Sequence, residues 1–512
     1  MSLDAARTPV VLATGQAIDR TSASGPLELA EAASRLALDT APGAGARIER
    51  LSVVNILARR AGPAPASDLA KALGLEPRVV ETTVIGGNMP QTLVTRAAAD
   101  IATGRLSATL IAGAEAVRST RLKPQGSTGG GAGAGAGASS GPDSAPDPDP
   151  VFGELRQDLS DTERAAGLLI PVFVYPLFES VIASRASRSN AEQRAHIGRF
   201  LARFSAVAAS NPYAWFRDPL TAEQIAEPVP DNRLVAEPYT KRMVAFLGSA
   251  HGSALLVTSL EVARDLGRDD DVVFIWTGAN CTEIWNPISR PDLGRSPALG
   301  AAVAGVSDAA GVGIDDIDHL DLYSCFPSAV DVAATELGVA LDDPRGLTVT
   351  GGLPYFGGPG SNYVSHSIAT MVDLLKAAGG SGQSSHALGL VTGVAWYLTK
   401  HSVGLYGTDP PRSGRFEAAQ PIFYAPAPTP VAVTTALGGT ATATIQAGTV
   451  IYDREGHARS APVIATLGDG TRVAATAGSE DLPAIAELGS QAPLVGRTVQ
   501  ISTGAPPQYS VL

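Results

Sequence analysis

Three side chains of this sequence could form a nucleophilic cysteine–histidine site: Cys325 with either His366 or His401. Cys325 follows a predicted strand and precedes Pro327, where a helix is expected to begin, and a helix N-terminus favours the thiolate form of a cysteine. Either histidine would act as the base that activates the sulfur. The alternative is structural, because a free cysteine is most often a small buried apolar residue. Spacing alone leaves both interpretations open.

A second turn has the layout of a nucleophile site but contains no nucleophile. Residues 79–85 predict a buried strand, residues 92–103 a helix and residues 108–112 another strand. The turn between them reads Gly86-Gly87-Asn88-Met89-Pro90-Gln91, with Asn88 expected to cap the helix. This order places the turn at a helix N-terminus, where a cysteine, serine or threonine is activated. None of these three residue types occurs in the turn.

Several residues near the two turns suit hydrogen bonding to a ligand better than bond formation. Their amide and hydroxyl groups can hydrogen-bond to a ligand but are poor nucleophiles, and the glycines permit close approach of the backbone. No Gly-Lys-Ser/Thr follows the glycine-rich runs, so a phosphate-binding loop is not predicted. The candidate binding residues are Gly87, Asn88, Gln91, Tyr323, Gly358, Asn362 and Thr392.

Composition narrows the class of protein. The 512 residues are 45% apolar and 17% charged, which is typical of a folded globular chain of about two to four domains. The formal charge of −12 argues against binding to nucleic acid or to an anionic membrane surface. Basic charge is mostly arginine, so a local basic pocket for an anionic ligand remains open.

The same counts argue against disulfides, metals and membrane insertion. Only Cys281 and Cys325 occur, which excludes a disulfide framework, and no His/Asp/Glu cluster has the spacing of metal ligands. No apolar run is long enough to cross a bilayer, and the first residues lack a signal-peptide pattern. We therefore expect a cytoplasmic protein without a metal or a covalently bound cofactor.

The pattern of elements predicts an α/β fold with two similar halves. Strand and helix signals alternate over residues 8–118 and again over 252–405, which is typical of helices packed on a mainly parallel sheet. The second half repeats the first: a strand at 316–322, the turn Tyr323-Ser324-Cys325-Phe326, Pro327, a helix at 328–337 and Gly338. Two such halves would direct both turns towards one central cleft.

Composition shifts divide the chain further. A Gly/Ala tract and a following Asp/Pro run predict a flexible insertion. A helix is predicted at 190–210, where Arg194, Arg199 and Arg203 form either a solvated face or a phosphate-contacting surface. Short β-like runs between glycine turns at the end predict a small oligonucleotide/oligosaccharide-binding-like barrel with one helix at 482–488. The predicted divisions are an N-terminal half at 1–123 and 151–160, the insertion at 124–150, a helical loop domain at 161–245, a C-terminal half at 246–410, a linker at 411–430 and a β-rich domain at 431–512.

Across residues 7–408 the sequence resembles the thiolase superfamily. The motifs that carry the resemblance are individually weak, but their order and spacing are specific. The resemblance implies a five-layer αβαβα core of two halves, a helical loop domain and acyl-CoA chemistry. The matching segments are Arg7-Thr8-Pro9-Val10-Val11, Thr103-Gly104-Arg105, Leu110-Ile111-Ala112-Gly113-Ala114-Glu115, Glu237-Pro238-Tyr239, Gly351-Gly352 and Gly357-Gly358-Pro359-Gly360.

The family's four chemical signatures are all replaced in this sequence. The nucleophile motif Cys-x-Ser-Gly falls at or beside Gly87, and Asn-Glu-Ala-Phe, or His-Asp-Cys-Phe in the sterol-carrier type, becomes Tyr323-Ser324-Cys325-Phe326. Gly-His-Pro becomes Gly357-Gly358-Pro359, and Cys-x-Gly-Gly-Gly becomes Thr392-Gly393-Val394-Ala395-Trp396. These replacements and the added C-terminal domain are most similar to the thiolase-like protein type 1 branch.

The resemblance implies binding of CoA or an acyl-CoA without conventional thiolase catalysis, because a covalent acyl-enzyme needs the missing cysteine and its histidine. Two alternatives stay open. One is an acyltransferase or other acyl-CoA enzyme that uses Cys325 with His366 or His401. The other is a partner or scaffold subunit of an acyl-CoA enzyme that docks through residues 431–512.

Overall fold

The computed structural model describes residues 3–21, 23–57, 62–117, 147–379, 386–418, 428–435 and 437–511. Most of the predicted flexible insertion and part of the predicted linker lie outside these residues. None of the described helices combines the length and apolar character needed to cross a membrane. The helices are α1 Pro26–Asp39, α2 Pro65–Leu73, α3 Met89–Ala102, α4 Asp161–Ala165, α5 Pro171–Arg185, α6 Asn190–Ser210, α7 Ala222–Ala226, α8 Leu260–Asp265, α9 Pro297–Ala310, α10 Pro327–Leu337, α11 Gly352–Tyr355, α12 Tyr363–Gly379 and α13 Leu482–Gln491.

The strands form one large sheet, a closed barrel and a small four-stranded sheet. They are β1 Pro9–Ile18, β2 Arg50–Val53, β3 Val79–Thr83, β4 Ala108–Ala116, β5 Val151–Phe152, β6 Leu234–Ala236, β7 Tyr239–Thr240, β8 Ala250–Ser259, β9 Val273–Thr282, β10 His319–Asp321, β11 Leu388–Ala395, β12 Lys400–Gly407, β13 Ala441–Gly448, β14 Ile451–Tyr452, β15 Ala458–Ser460, β16 Pro462–Leu467, β17 Arg472–Ala477, β18 Thr498–Ser502 and β19 Gln508–Val511.

The large sheet joins the two predicted halves edge to edge. Its order is β10-β11-β12-β9-β1-β8-β4-β2-β3-β5, and the halves meet where Val10 and Val11 of β1 pair with β9. The centre of the sheet is antiparallel, because β8 lies between β1 and β4 and runs opposite to both. The sheet is therefore mixed, with parallel pairing confined to its outer strands, whereas the sequence predicts a mainly parallel one.

Helices complete the layers around this sheet. Helices α3 and α12 contact strands of both halves and form the central layer, α1 and α2 cover the N-terminal half, and α9 packs on the C-terminal half. Their buried residues form one apolar core with the strands. The predicted αβαβα arrangement is confirmed, and it brings the N-termini of α3 and α10 to the same central region.

The outer strand β3 is paired on both sides. Thr82 and Thr83 pair in parallel with Val151 and Phe152 of β5, which therefore forms the edge of the sheet. On the face of β3, buried Glu81 accepts a hydrogen bond from Ser52 at 2.7 Å and forms an ion pair with Arg96 of α3 at 2.8 Å. This ion pair fixes α3 against the strand that precedes the Gly87 turn.

The C-terminal segment forms the small barrel that the sequence predicts. The strand order is β13-β16-β17-β19-β18, closed by antiparallel pairing of β13 with β18, and only β17 and β19 among these strands pair in parallel. Helix α13 connects β17 to β18, which gives the five-stranded Greek-key barrel typical of oligonucleotide/oligosaccharide-binding folds. Its apolar interior forms a core separate from the main one.

The barrel is attached to the helical loop domain by backbone and side-chain bonds. Strand β14, in the connection between the first two barrel strands, pairs with β6 at Ile451 and Ala236. Asn190 Nδ2 donates to the Gly489 carbonyl, and the Gly448 amide donates to Ser180 Oγ at 3.2 Å. The barrel and the loop domain therefore share a sheet and a buried interface.

Candidate functional site

The Gly87 turn connects β3 to α3 at the centre of the molecule. Gly86 N–H donates to Ser361 Oγ at 3.1 Å, and the Met89 amide donates to the Gly86 carbonyl at 3.1 Å. Asn88 occupies the predicted N-cap position, but its backbone is already helical and its side chain makes no capping bond. Its Nδ2 instead donates to Thr92 Oγ1 at 3.3 Å, one turn along the helix.

The hydroxyl of Tyr323 occupies the position where a side chain at residue 87 would project. A Cβ atom added to Gly87 would lie 2.2 Å from Tyr323 Oη and 2.6 Å from the Val394 carbonyl oxygen. Real Cβ atoms do not approach other atoms so closely, so a cysteine or serine does not fit here without movement of Tyr323 and of the β11 backbone. The space that a side chain at residue 87 would need is therefore filled by Tyr323 and Val394.

Tyr323 is itself held by the strands of the C-terminal half. Its backbone amide donates to Thr392 Oγ1 of β11 at 2.9 Å. Its ring packs edge-to-face on Tyr363, with centroids 5.7 Å apart. Tyr363 Oη is in turn 2.5 Å from Thr350 Oγ1. The position of the Tyr323 hydroxyl follows from these contacts rather than from its own turn alone.

A cavity of about 500 Å³ opens beside the two turns. Gly86 and Gly87 of the first turn and Tyr323, Cys325 and Phe326 of the second line it, so the prediction that both turns face one cleft is confirmed. Most of the remaining lining is apolar, and the described lining residues include no Lys or Arg. The other lining residues are Leu57, Ile85, Asp158, Leu169, Ile170, Pro171, Val172, Tyr175, Val244, Ala245, Leu247, Leu353, Gly360, Ser361, Val394, Ala395, Trp396 and Tyr397.

Exposed aliphatic side chains mark the part of the cavity that meets solvent. Leu57, Leu169, Ile170 and Leu247 line it and are 46%, 52%, 45% and 57% exposed. Single exposed apolar residues are common, but four of them line this one cavity, and they are called its apolar rim below. The rim leads from solvent to the buried turn residues.

Cys325 lies in the cavity wall as a protonated thiol. It is buried, and burial raises the pKa of its thiol to about 12, although the thiol hydrogen-bonds with the Tyr175 hydroxyl. The ring of Tyr175 stacks on Phe326 at 4.3 Å. A nucleophilic cysteine needs an electropositive surrounding that lowers its pKa, and the surroundings of Cys325 have the opposite effect.

The two candidate bases lie elsewhere in the core. His366 Nδ1 is 2.8 Å from Gln16 Oε1, and His401 Nε2 is 3.1 Å from both Ser296 Oγ and the Leu398 carbonyl oxygen. Burial lowers the pKa of His401 to about 3 and the pKa of His366 well below its usual value. Neither histidine lines the cavity that Cys325 lines, so the structure does not assemble the predicted Cys–His pair.

Five of the predicted binding residues are not among those that line the cavity: Asn88, Gln91, Gly358, Asn362 and Thr392. Gln91 receives a hydrogen bond from Tyr406 Oη at 2.7 Å, and Asn362 Oδ1 receives one from Ser365 Oγ at 2.8 Å. The Gly358 amide donates to the Phe246 carbonyl at 2.8 Å. These bonds tie the groups to the fold, although Asn88 Oδ1 and Asn362 Nδ2 are buried without a hydrogen-bond partner. Gly87 and Tyr323 alone of the predicted binding set reach the cavity.

The loop after β11 contributes residues that sequence reasoning missed. Trp396 and Leu398 have positive φ angles of 57° and 54°, which non-glycine residues rarely adopt. The loop is held there because the Trp396 carbonyl accepts from Tyr175 Oη at 2.8 Å and the Tyr397 hydroxyl donates to Asp158 at 3.0 Å. The feature of the sequence that could have indicated this loop is the adjacent aromatic pair Trp396-Tyr397, directly after β11.

Within the residues that the structure describes, no three His, Cys, Asp or Glu side chains gather in a way that could hold a metal ion. The charged group in the cavity wall is Asp158, which forms an ion pair with Arg164 and accepts a hydrogen bond from the Tyr397 hydroxyl. The site therefore offers an apolar space, neutral hydroxyls and a protonated thiol, which suit retention of a mostly apolar ligand.

Comparison with known proteins agrees with this architecture. No protein-family model and no curated protein matches the chain. A solved structure of a monomeric SCP2-thiolase-like protein type 1 from Mycobacterium smegmatis is similar over 100% of both chains, with a TM-score of 0.81 and 28% identity. The Ltp2-ChsH2(DUF35) aldolase matches 78% of this chain and 97% of its own, with a TM-score of 0.59 and 19% identity, which shows likeness of fold alone. The resemblance to the thiolase superfamily is confirmed.

Proposed function

We propose that this chain, which has the thiolase-superfamily fold and is similar over its whole length to an SCP2-thiolase-like protein type 1, binds an acyl thioester such as an acyl-CoA without covalent thiolase catalysis. The observation that carries the proposal is the apolar cavity at the Gly87 turn, where Tyr323 fills the nucleophile position. On this proposal the apolar cavity still holds an acyl group, while the cysteine that would accept the acyl group covalently is replaced.

The lining of the cavity supports an acyl group rather than the nucleotide part of CoA as the buried portion of the ligand. Apolar side chains release water when an alkyl chain covers them, at about 25 cal/mol per Å² of buried apolar area. The phosphates of CoA carry negative charge, and the described residues of the cavity wall include no Lys or Arg. On this proposal the phosphates stay outside the cavity, at its solvent-facing opening.

The experiment is a titration calorimetry series with CoA, acetyl-CoA, octanoyl-CoA, palmitoyl-CoA, a sterol-type acyl-CoA and octanoic acid. We expect longer acyl groups to bind more tightly than CoA alone. The variant Leu169→Asp places a charge on the exposed apolar rim and should weaken octanoyl-CoA binding about tenfold, from the loss of roughly 1.5 kcal/mol of apolar burial. Leu36→Asp on α1, at 48% exposure and outside the cavity, is the matched control.

Equal binding by all probes, or equal effects of the two variants, would contradict the proposal. A separate assay addresses catalysis: acetoacetyl-CoA and CoA are incubated with the protein while the enolate absorbance is followed. Turnover above about 1 s⁻¹, the lower end of ordinary enzyme rates, would show that thiolysis survives.

A second candidate is a subunit that acts beside an acyl-CoA enzyme. The exposed rim of Leu57, Leu169, Ile170 and Leu247 also suits a protein surface, and the structurally similar aldolase is named for two components, Ltp2 and ChsH2(DUF35). A fixed partner that co-purifies with the chain, together with no change in melting temperature on adding acyl-CoA, would favour this candidate. The contacts of Cys325, His366 and His401 give no support to the acyltransferase alternative.

A further inference from the structure

The Tyr323 hydroxyl is the polar group that faces the cavity at the lost nucleophile position. Its oxygen lies 2.2 Å from the place of a Cβ on Gly87, and both residues line the cavity. A ligand that enters far enough to contact the Gly87 turn therefore meets this hydroxyl. In a covalent thiolase site the same place would present an attacking atom.

This hydroxyl differs from those of the other two tyrosines in the cavity wall. Tyr175 Oη donates to the Trp396 carbonyl at 2.8 Å, and Tyr397 Oη donates to Asp158 at 3.0 Å. In the described part of the chain no hydrogen bond satisfies Tyr323 Oη, although the residue is only 7% exposed. Tyr323 Oη is not among the fully buried polar atoms that lack a partner, so it is open to the cavity, where an oxygen atom of a ligand can accept its proton.

The hydroxyl is also fixed in direction and remains protonated. The hydrogen bond from the Tyr323 backbone amide to Thr392 and the edge-to-face contact with Tyr363 limit the movement of the ring. Burial raises the pKa of Tyr323 well above its usual value, so the group is a donor and not an anion at neutral pH. A rigid, protonated donor is suited to hold an acceptor oxygen.

We infer that Tyr323 donates a hydrogen bond to the carbonyl oxygen of the bound acyl thioester and thereby positions the thioester beside the Gly87 turn. The inference rests on the proposed function and adds the group of the ligand that is recognised. No bond is made or broken in this step. The carbonyl is held beside residue 87, and a ligand without this carbonyl would lack the hydrogen bond.

The test compares two ligands that differ only at the carbonyl: octanoyl-CoA and its thioether analogue S-octyl-CoA. Titration calorimetry is performed on the wild type, on Tyr323→Phe and on Tyr397→Phe as the control cavity tyrosine. Tyr323→Phe keeps the ring and should weaken octanoyl-CoA about three- to tenfold, the value of one hydrogen bond, while S-octyl-CoA is unaffected. Tyr397→Phe should affect both ligands equally.

An infrared difference spectrum gives a second readout that a packing role would not change. The carbonyl stretch of bound octanoyl-CoA should lie at lower frequency in the wild type than in Tyr323→Phe. The inference would be overturned if Tyr323→Phe weakened the binding of both ligands equally, or if the carbonyl stretch had the same frequency in this variant as in the wild type. The proposed function would then still stand. Failure of both ligands to bind the wild type would instead overturn the proposed function, and the inference with it.

Discussion

Arg194 Nη1 lies 2.8 Å from Glu237 Oε2, and the two side chains are 13% and 3% exposed where the loop domain meets the barrel. The hydroxyl of Tyr452, on barrel-connection strand β14, is 3.3 Å from the other oxygen of Glu237. The carboxylate therefore has partners from both sides of the interface. Burial disfavours its charge and raises its pKa to about 7, while Arg194 favours the charge.

The first prediction is that Arg194→Met destabilises the protein strongly. Removing one partner of a buried ion pair leaves the other charge unpaired, which typically costs about 3–5 kcal/mol. The free energy of unfolding at pH 8 is measured by urea denaturation. Arg199→Met, at an exposed arginine on the same helix, is the control and should change it by less than about 0.5 kcal/mol. If the two variants lost the same free energy of unfolding, the Arg194–Glu237 ion pair would not stabilise the interface.

The second prediction concerns restoration of the nucleophile. Gly87→Cys should not create an acyl-accepting site, because the added atoms overlap Tyr323 Oη and the Val394 carbonyl. Overpacking of this kind costs about 1–3 kcal/mol, which a fall in the free energy of unfolding would reveal. Gly468→Cys is the control, since a Cβ there meets nothing within 4 Å. Mass-spectrometric capture of an acyl group on Gly87→Cys, without loss of stability, would refute this account of the turn.

The third prediction is that Cys325 is unreactive in the folded protein. With a thiol pKa raised to about 12, its thiolate at pH 7.5 is roughly a thousandfold scarcer than that of a free cysteine. Iodoacetamide labelling, read by mass spectrometry of the peptide, should therefore be slow in buffer and fast in denaturing urea. Cys325→Ala should retain binding of octanoyl-CoA. Rapid labelling that octanoyl-CoA prevents would revive the acyltransferase alternative.

The fourth prediction is a pH dependence that arises from Glu179. This carboxyl is 1% exposed, and burial raises its pKa to about 7 although Tyr239 and Gln193 donate hydrogen bonds to it. In the unfolded chain a glutamate titrates near about 4.3, so the folded state binds the proton more tightly. The stabilising contribution is complete below about pH 4.3 and is lost as the pH rises through about 7.

The check is the free energy of unfolding of Glu179→Gln between pH 5 and pH 8. The glutamine keeps the size of the side chain and cannot ionise, so stability should fall less with rising pH than in the wild type. Glu261→Gln, at an exposed position on α8, should follow the wild-type curve. Parallel curves for Glu179→Gln and the wild type would show that Glu179 does not titrate in this range.

Local signals predicted most of the elements. Helix α6 has the bounds expected from its sequence, and α3 and α10 begin at or next to a proline, where the missing N–H costs nothing. Short β-like runs between glycine turns predicted four of the five barrel strands. The fifth, β19, was not predicted. The antiparallel placement of β8 was missed, because strand direction depends on the return of the chain from the loop domain and not on local pattern.

The site was predicted in part. Gly87, Tyr323 and Cys325 were selected from the turns of the two repeated units, and they meet in one cavity. His366 was selected for its chemistry, but its imidazole bonds to Gln16, which is 350 residues away in sequence. Residue type indicates what a side chain can do, whereas its partner depends on contacts between distant segments.

By itself the sequence predicted two α/β halves, a loop domain and a terminal barrel, and its resemblance to the thiolase superfamily implied that the family's catalytic groups are replaced. These properties follow from hydrophobic periodicity, turn residues and residue identity, which are local. Only the tertiary structure decided that Tyr323 fills the space beside Gly87, that Cys325 stays protonated and that the candidate histidines are engaged elsewhere. Distance, burial and hydrogen-bond partners arise when segments far apart in the chain pack together, so no local pattern contains them.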